Sequence, residues 1–598
     1  MDSNLFDLIR HAELFSYLNE DELKELLNIV GLINLHPGQI LFEQNEDSDS
    51  MYLLLKGDLV ASIITHNDEV KILGYVRAGE IVGEMGLISA QPRTLTVTAL
   101  NEASLIKLTR NVFEQYFQDR PQPLLHILSL VINRAQHTIQ SISTIKRCTV
   151  IAIVPANENK IIDVLFDQIS ELLKNNVKVS LLSEKDFHSH PTLDTAKRLI
   201  DKLSRSCDFI LFKVDLNNEI TKQLIYEKTQ RVLVIAEHAE KPDLHDFVKK
   251  LINNKSYEFI KKELVLIYNK PKMVPQFTKL WLNEGQFSQH YHIKMQQDDY
   301  NYLLRFLVGE PIGLVLSGGG IKGWAHVGAL KALYEAQIPI DAVGGTSIGA
   351  IVGASYLLNE DYLGLVDAMH EFANFAQSMI QVKEFTYPII SVLDGKKKFI
   401  GLYKLFNGMH IEDLWRPFFS ISANLSDNIE VVNRQDSLWL WTSASSSLPG
   451  LVPPITHEGK IYLDGGVVNS LPVDVMKNIL GDKGRIIAID LSLSLKSDSG
   501  YSFPPVITFK DALLYKLKFK KYKDFKFPNF TSTLLESLMM GSQTKTEQNL
   551  LLADIVVRPD LSKYRMMSSL PLADELMEIG YRAMSEQLQL IMKDYHPV

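Results

Sequence analysis

Residues 311–355, PIGLVLSGGGIKGWAHVGALKALYEAQIPIDAVGGTSIGAIVGAS, decide the fold. An apolar run at 312–316 ends in Gly318, Gly319 and Gly320. An amphipathic helical pattern then runs to Leu333, and a second apolar run leads into Gly344-Gly345-Thr346-Ser347-Ile348-Gly349. The spacing predicts strand, glycine turn, helix, strand, sharp turn, helix, which is an α/β unit on a parallel sheet. Both glycine turns fall where a strand hands over to a helix, the end of an open α/β sheet where ligands and chemistry collect.

The second turn fits G-x-S-x-G, which holds a serine on a strained corner with its hydroxyl exposed. The first turn can aim backbone N–H groups of Gly318, Gly319 and Gly320 at a developing oxyanion from a helix N-terminus. A dinucleotide loop is the alternative, because Gly318, Gly320 and Gly323 also satisfy G-x-G-x-x-G. That reading wants an acid after the second strand, and Asp341 precedes it.

A serine nucleophile needs a base. Residues 457–474 read HEGKIYLDGGVVNSLPVD, in which a strand-like run ends at Asp464 before two glycines that admit a close backbone. The order GGG-x-K-G, G-T-S-x-G, D-G-G resembles the patatin-like phospholipases, which use a Ser–Asp dyad without histidine. The resemblance implies Ser347 as nucleophile, Asp464 as base and Gly318–Gly320 as oxyanion loop, with Lys322 in the loop's basic position. His326, His410 and His457 keep a Ser-His-Asp arrangement open as the alternative.

The chain has 598 residues, 46% hydrophobic, 22% charged and 9% aromatic, which is ordinary globular composition for several domains. A net charge of −9 argues against nucleic acid as a partner. Two cysteines, Cys148 and Cys207, cannot build a disulfide framework. No signal-peptide layout or membrane-length apolar run is evident, so the expected location is cytoplasmic or peripheral at a membrane. The oligomeric state stays open, with an oligomer allowed.

Residues 1–118 begin with a capping-box signal, Asn19 and Glu22, before a helical pattern. Short alternating strands punctuated by glycine follow, the pattern of a β-barrel or jelly roll. Residues 79–99, GEIVGEMGLISAQPRTLTVTA, resemble the phosphate cassette of cyclic-nucleotide-binding domains. The resemblance implies that Gly83 opens the cassette, Glu84 accepts from a ribose hydroxyl and Arg93 pairs with phosphate, with Thr94 as a cyclic-GMP-type contact. Cyclic AMP or cyclic GMP is then the expected regulator. Leu95 departs from the family's alanine, and a barrel that keeps its fold without binding nucleotide is the alternative.

Residues 119–147 read as a connecting helix. Residues 148–300 alternate apolar runs with helical patterns, the sign of a doubly wound, Rossmann-like sheet, read here as a docking domain. Its first turn, PANEN, lacks phosphate-cradling glycines. His290 and His292 read as packing residues, and no metal site is expected. Together with residues 299–320, DYNYLLRFLVGEPIGLVLSGGG, this layout resembles the neuropathy target esterase family within the patatin-like enzymes. The implied fold of residues 301–598 is a three-layer, mostly parallel patatin-type α/β domain with a C-terminal extension. The implied activity is hydrolysis of fatty acyl esters of lysophospholipids or phospholipids, with no cofactor required. A cyclic-nucleotide sensor with a non-catalytic hydrolase fold is the alternative from another class.

Two further stretches stand out. Residues 438–455 contain Ser443, Ala444, Ser445, Ser446 and Ser447, read as a small-residue turn packed beside the site, and Asp490 reads as a strand-end acceptor. Residues 509–530, FKDALLYKLKFKKYKDFKFPNF, interleave seven lysines with aromatics. Lys516, Lys518, Lys520 and Lys521 there suit an anionic lipid surface, and a solvated face is the alternative.

Overall fold

The computed structural model describes residues 15, 19–64, 70–84, 92–117, 148–158, 161–188, 192–254, 260–270, 273–359, 361–378, 384–387, 389–406, 408–491, 503, 505–517, 530–564 and 572–594. They divide into one unit of residues 1–267 with 281–290 and a second of residues 268–280 with 291–598.

In the first unit, the Asn19 side chain accepts from the Asp21 and Glu22 N–H groups, and Glu22 returns a bond to the Asn19 N–H, closing the box at the head of helix Glu20–Ile29. The glycine-broken pattern becomes two four-stranded antiparallel sheets. One orders Gly31–Leu35, Ala103–Thr109, Ser50–Lys56 and Ile81–Val82. The other orders Ile40–Phe42, Thr96–Ala99, Asp58–Ile64 and Val70–Arg77. The apolar runs further on form parallel neighbours in the order Val179–Leu182, Phe209–Lys213, Thr149–Pro155, Arg231–Glu237, Lys261–Ile267. The expected connecting helix at 119–147 lies outside the described residues.

In the second unit, the order is α1 (Gln297–Val308), β1 (Ile312–Leu316), α2 (Trp324–Glu335), β2 (Ala342–Thr346), α3 (Ile348–Leu358), α4 (Tyr362–Ser378), α5 (Lys396–Leu405), β3 (Phe418–Asn424) and β4 (Ile429–Asn433). There follow α6 (Leu438–Ser445), β5 (Ile455–His457), β6 (Lys460–Asp464), α7 (Val473–Leu480), β7 (Arg485–Ile489), α8 (Phe509–Lys516), α9 (Phe530–Leu550), β8 (Ile555–Val557) and α10 (Ala573–Asp594). The sheet runs β5-β6-β3-β2-β1-β7-β8, with β4 paired to β3. Strands β3, β2, β1, β7 and β8 are mutually parallel, and β1 and β2 are buried at every position, as unbroken apolar runs require. Helices α2 and α10 cross closely: a Cβ on Gly328 would lie 1.8 Å from the Met577 carbonyl oxygen, and one on Gly580 1.9 Å from that of Ala325. No described helix is long and apolar enough to cross a membrane.

Asp341, weighed as a dinucleotide acid, is a buried structural group. Arg305 Nε and Nη2 donate to it at 2.8 and 2.6 Å, and the Ile312 N–H donates at 2.8 Å. His292 is likewise satisfied, with Nδ1 against the Tyr268 hydroxyl and Nε2 against the Glu412 carbonyl, both at 2.9 Å.

Candidate active site

Strand β3 is the spacer that assembles the site. It pairs in parallel with β2, setting Thr346 opposite Ile421, and antiparallel with β6, setting Ser422 opposite Asp464. The serine that follows Thr346 and the aspartate that ends β6 therefore flank one point of the sheet edge. Ser347 Oγ donates to Asp464 Oδ2 at 2.7 Å across 117 residues of sequence.

Ser347 holds φ +56° and ψ −122°, a backbone state rare for a side-chain-bearing residue, which costs about 1–3 kcal/mol and collects at functional sites. The corner closes because Gly349 lets the start of α3 meet the end of β1: a Cβ there would lie 2.2 Å from the Leu316 carbonyl oxygen. The Ser347 N–H is also held, donating to Ser445 Oγ at 3.0 Å.

Asp464 is fully buried. Its Oδ1 accepts from the Gly466 N–H at 2.7 Å, and its own N–H donates to the Ser447 carbonyl at 2.9 Å. Burial pushes the carboxyl up to about 6, against the pull of the Ser347 hydroxyl, the Gly466 N–H and the charge of Lys398. Lys398 is itself buried, and its Nζ donates to the Ser443 carbonyl at 3.0 Å and to Ser447 Oγ at 3.1 Å. Burial pushes this ammonium down to about 7, while Asp464 draws it back up.

The glycine loop lies against the serine, since a Cβ on Gly318 would sit 3.5 Å from Ser347 Cβ. Its three amides are not equivalent. The Gly318 N–H donates to the Ser470 carbonyl at 3.1 Å, which narrows the expected set of oxyanion donors. The Gly319 and Gly320 N–H groups donate to no partner among the described residues. Ser317 fixes the loop from below: its hydroxyl donates to the Gly318 carbonyl at 3.1 Å and accepts from the Leu491 N–H at 2.8 Å. Lys322 is buried, and burial lowers its pKa against the pull of Asp490.

Among the described residues, none of the three histidines hydrogen-bonds Ser347 or Asp464. His326 Nε2 donates to the Ser317 carbonyl at 2.9 Å, and burial pushes its pKa down to about 4, so the neutral ring anchors the loop. His410 lies 3.5 Å from Glu412, and His457 packs edge-on against Trp441. Asp490 accepts from Arg558 Nε at 3.0 Å.

Sequence reasoning placed Ser445 beside the site only as a packing residue, and it missed Lys398. The serine-rich run forms the end of helix α6 rather than a turn, because Leu438, Trp441, Thr442 and Ala444 bury themselves at helical spacing. Ser445 then reaches the nucleophile's corner. Lys398 closes a Lys396-Lys397-Lys398 run that looks like a surface charge cluster. Its signal was helical phase, for it shares the buried face of α5 with Gly401 and Leu402.

In the barrel, Arg93 is held by backbone carbonyls and an aromatic ring. Its guanidinium is buried and donates to the Gly83 carbonyl at 2.9 Å and the Ser50 carbonyl at 2.8 Å, stacked 4.2 Å over the Phe42 ring. Glu84 is buried, Thr94 is exposed and Leu95 packs against the barrel core. Residues 85–91 lie outside the described residues. So do Lys518, Lys520 and Lys521, while Lys516 ends α8.

Residues 314–477 match the family model described as patatin-like phospholipase. Residues 32–120 match the cyclic nucleotide-binding domain, and residues 148–311 the Neuropathy Target Esterase family P-loop like domain. The chain is 26% identical over 541 residues to a lysophospholipase nte1 of Neosartorya fischeri, covering 77% of this chain and 35% of that protein. It is 27% identical over 609 residues to the neuropathy target esterase sws of Drosophila melanogaster, covering 92% of this chain and 42% of that one. It thus spans less than half the length of these curated relatives. Among solved structures, the N-terminal domain of a transcriptional regulator from Streptomyces coelicolor A3(2) aligns at 27% identity over 23% of this chain and 99% of that chain, with a TM-score of 0.20. In order along the sequence, the chain carries a cyclic nucleotide-binding domain, a P-loop like domain of the type described for the Neuropathy Target Esterase family and a patatin-like phospholipase domain, and it is similar over most of its length to proteins named lysophospholipase nte1 and neuropathy target esterase.

Proposed function

We propose that the chain hydrolyses fatty acyl esters of lysophospholipids or phospholipids through Ser347 and Asp464. The observation that carries this reading is the buried 2.7 Å hydrogen bond from the Ser347 hydroxyl to the Asp464 carboxylate. Ser347 Oγ attacks the ester carbonyl carbon as its proton passes to Asp464 Oδ2. The carbonyl oxygen takes the negative charge facing the Gly319 and Gly320 N–H groups. Collapse of this intermediate expels the glycerol oxygen, which leaves with the proton from Asp464. Water then gives a proton to Asp464, attacks the acyl-serine, and releases fatty acid with the serine hydroxyl restored. Lys398 positions the base, its charge favouring the ionised carboxylate.

Support for the substrate class comes from the patatin-like phospholipase match and from relatives named lysophospholipase. The test is release of fatty acid from lysophosphatidylcholine and diacyl phospholipid, with fluorophosphonate labelling mapped to Ser347. A chain that neither labels nor releases acid has a non-catalytic hydrolase fold.

The barrel is read as regulatory, with a cyclic nucleotide phosphate competing against Gly83 and Ser50 for Arg93. Calorimetry of the full chain against cyclic AMP and cyclic GMP checks this, and no heat at millimolar ligand makes the barrel a scaffold. The lysines of residues 516–521 are read as a peripheral contact with anionic lipid. Unchanged liposome co-sedimentation after their replacement by glutamine removes that role.

A further inference from the structure

Between α4 and α5 the chain makes a hairpin whose tip is turned out to solvent with apolar side chains. Tyr387 is 82% exposed, Ile389 83% and Ile390 65%, with Phe385 and Val392 exposed beside them. Five large apolar residues within eight positions are what a soluble surface avoids unless something covers them.

The hairpin is built rather than loose. Phe385 and Leu393 form an antiparallel bridge at its neck, the Thr386 N–H donates to the Val392 carbonyl at 3.0 Å, and the Asp394 N–H donates to the Glu384 carbonyl at 3.0 Å. Within the tip, the Ile389 N–H donates to the Tyr387 carbonyl at 2.8 Å, and the Ser391 hydroxyl to the Leu393 carbonyl at 2.7 Å. Several polar groups of the tip are therefore paired internally, as backbone entering hydrocarbon demands. No ionisable carboxylate or ammonium lies between Phe385 and Leu393. At the base, exposed Lys396 and half-buried Lys397 begin α5, against Asp394, whose carboxylate caps the Lys396 N–H at 3.0 Å.

We propose that this hairpin is a lipid-surface anchor: Tyr387, Ile389 and Ile390 enter the acyl boundary of a phospholipid bilayer while Lys396 and Lys397 meet anionic headgroups. An uncharged, internally paired tip above paired lysines matches the layering of such a surface from hydrocarbon outward. The anchor is also wired to the site. The Val392 and Leu393 N–H groups donate to the Gly450 and Leu451 carbonyls, both at 2.9 Å. That segment follows directly on Ser445 and Ser447, which hold Ser347 and Asp464. The proposal rests on the lipid-ester reading for its purpose, though not for its measurement.

The experiment compares the full chain with a Tyr387→Ser/Ile389→Ser/Ile390→Ser variant. Each is sedimented with vesicles of phosphatidylcholine containing phosphatidylglycerol, and with phosphatidylcholine alone. Melting by circular dichroism controls for folding without reference to turnover. The expected result is that the wild type co-sediments, more strongly with the anionic vesicles, and that the variant partitions at least roughly tenfold less at an unchanged melting temperature. A Lys396→Gln/Lys397→Gln variant is expected to weaken only the preference for anionic vesicles, leaving binding to phosphatidylcholine alone unchanged. A wild type that ignores vesicles overturns the anchor, as does a triple variant that sediments like wild type. A variant that changes only the chain's association state by light scattering makes the patch a contact between copies and also overturns it. A wild type that binds vesicles yet releases no fatty acid leaves the anchor standing and removes the hydrolase reading instead.

Discussion

Lys398 Nζ donates to Ser447 Oγ at 3.1 Å while the Ser447 carbonyl accepts the Asp464 N–H at 2.9 Å, so one serine joins a buried ammonium to the strand end that carries the carboxylate. The arrangement puts a cation behind the proposed base without an ion-pair hydrogen bond between them. Removing it by Lys398→Met should raise the Asp464 pKa above its value of about 6, because the Lys398 charge is one of the groups that hold it down against burial. Asp464 acts as base only when ionised, so the acid limb of kcat/KM moves to higher pH and turnover at pH 6 falls, about fivefold for a rise of roughly one pKa unit. A pH–rate profile that superimposes on that of the wild type shows that Lys398 is merely packing.

Ser347→Ala should abolish fluorophosphonate labelling, and Asp464→Asn should lower kcat by roughly 10³–10⁴-fold. The asparagine retains an acceptor for the Gly466 N–H and removes a charge that burial disfavours. Its melting temperature at pH 8 is therefore expected to be no lower than that of the wild type. Near-normal turnover in this variant would transfer the proton to a different base.

His326 supplies a pH dependence of stability with a defined sign. Its folded pKa is lowered to about 4 from an ordinary 6.5, so the unfolded chain binds the extra proton first. The stability it contributes is present above pH 6.5 and drains away as pH falls toward 4, by up to about 3 kcal/mol. Melting curves across this window should show His326→Gln with a shallower loss than wild type. Equal slopes in the two proteins would mean that the ring titrates normally.

Gly349→Ala drives a methyl group to 2.2 Å from the Leu316 carbonyl oxygen, a backbone atom that cannot step aside. We expect at least about 1–3 kcal/mol of destabilisation, the usual cost of overpacking. The Ser347 corner should open and ester turnover should be lost with it. Denaturant unfolding and turnover of a short nitrophenyl ester measure the two effects separately.

Much of this was legible in residues 311–355 and 457–466, because strand-end turns advertise themselves locally. Gly318–Gly320, Gly345, Gly349 and Asp464-Gly465-Gly466 mark where backbone must bend or approach closely, whatever surrounds them. The identity of the site's supporting groups was not legible. Lys398 sits in a triple-lysine run, Ser445 in a run of small residues, and Arg93 in a motif that does not announce its bonds to the Gly83 and Ser50 carbonyls. Each depends on which face of an element is turned inward, and that is set by partners distant in the sequence.

Local sterics and hydrophobic period are enough to specify the succession of strands and turns, the serine's glycine-bounded corner and a carboxylate at a strand end. That Ser347 and Asp464, 117 residues apart, share a hydrogen bond follows from the packed sheet alone. The pairing of β3 in parallel beside β2 and antiparallel beside β6 brings this about, joining segments whose own residues carry no local sign of one another.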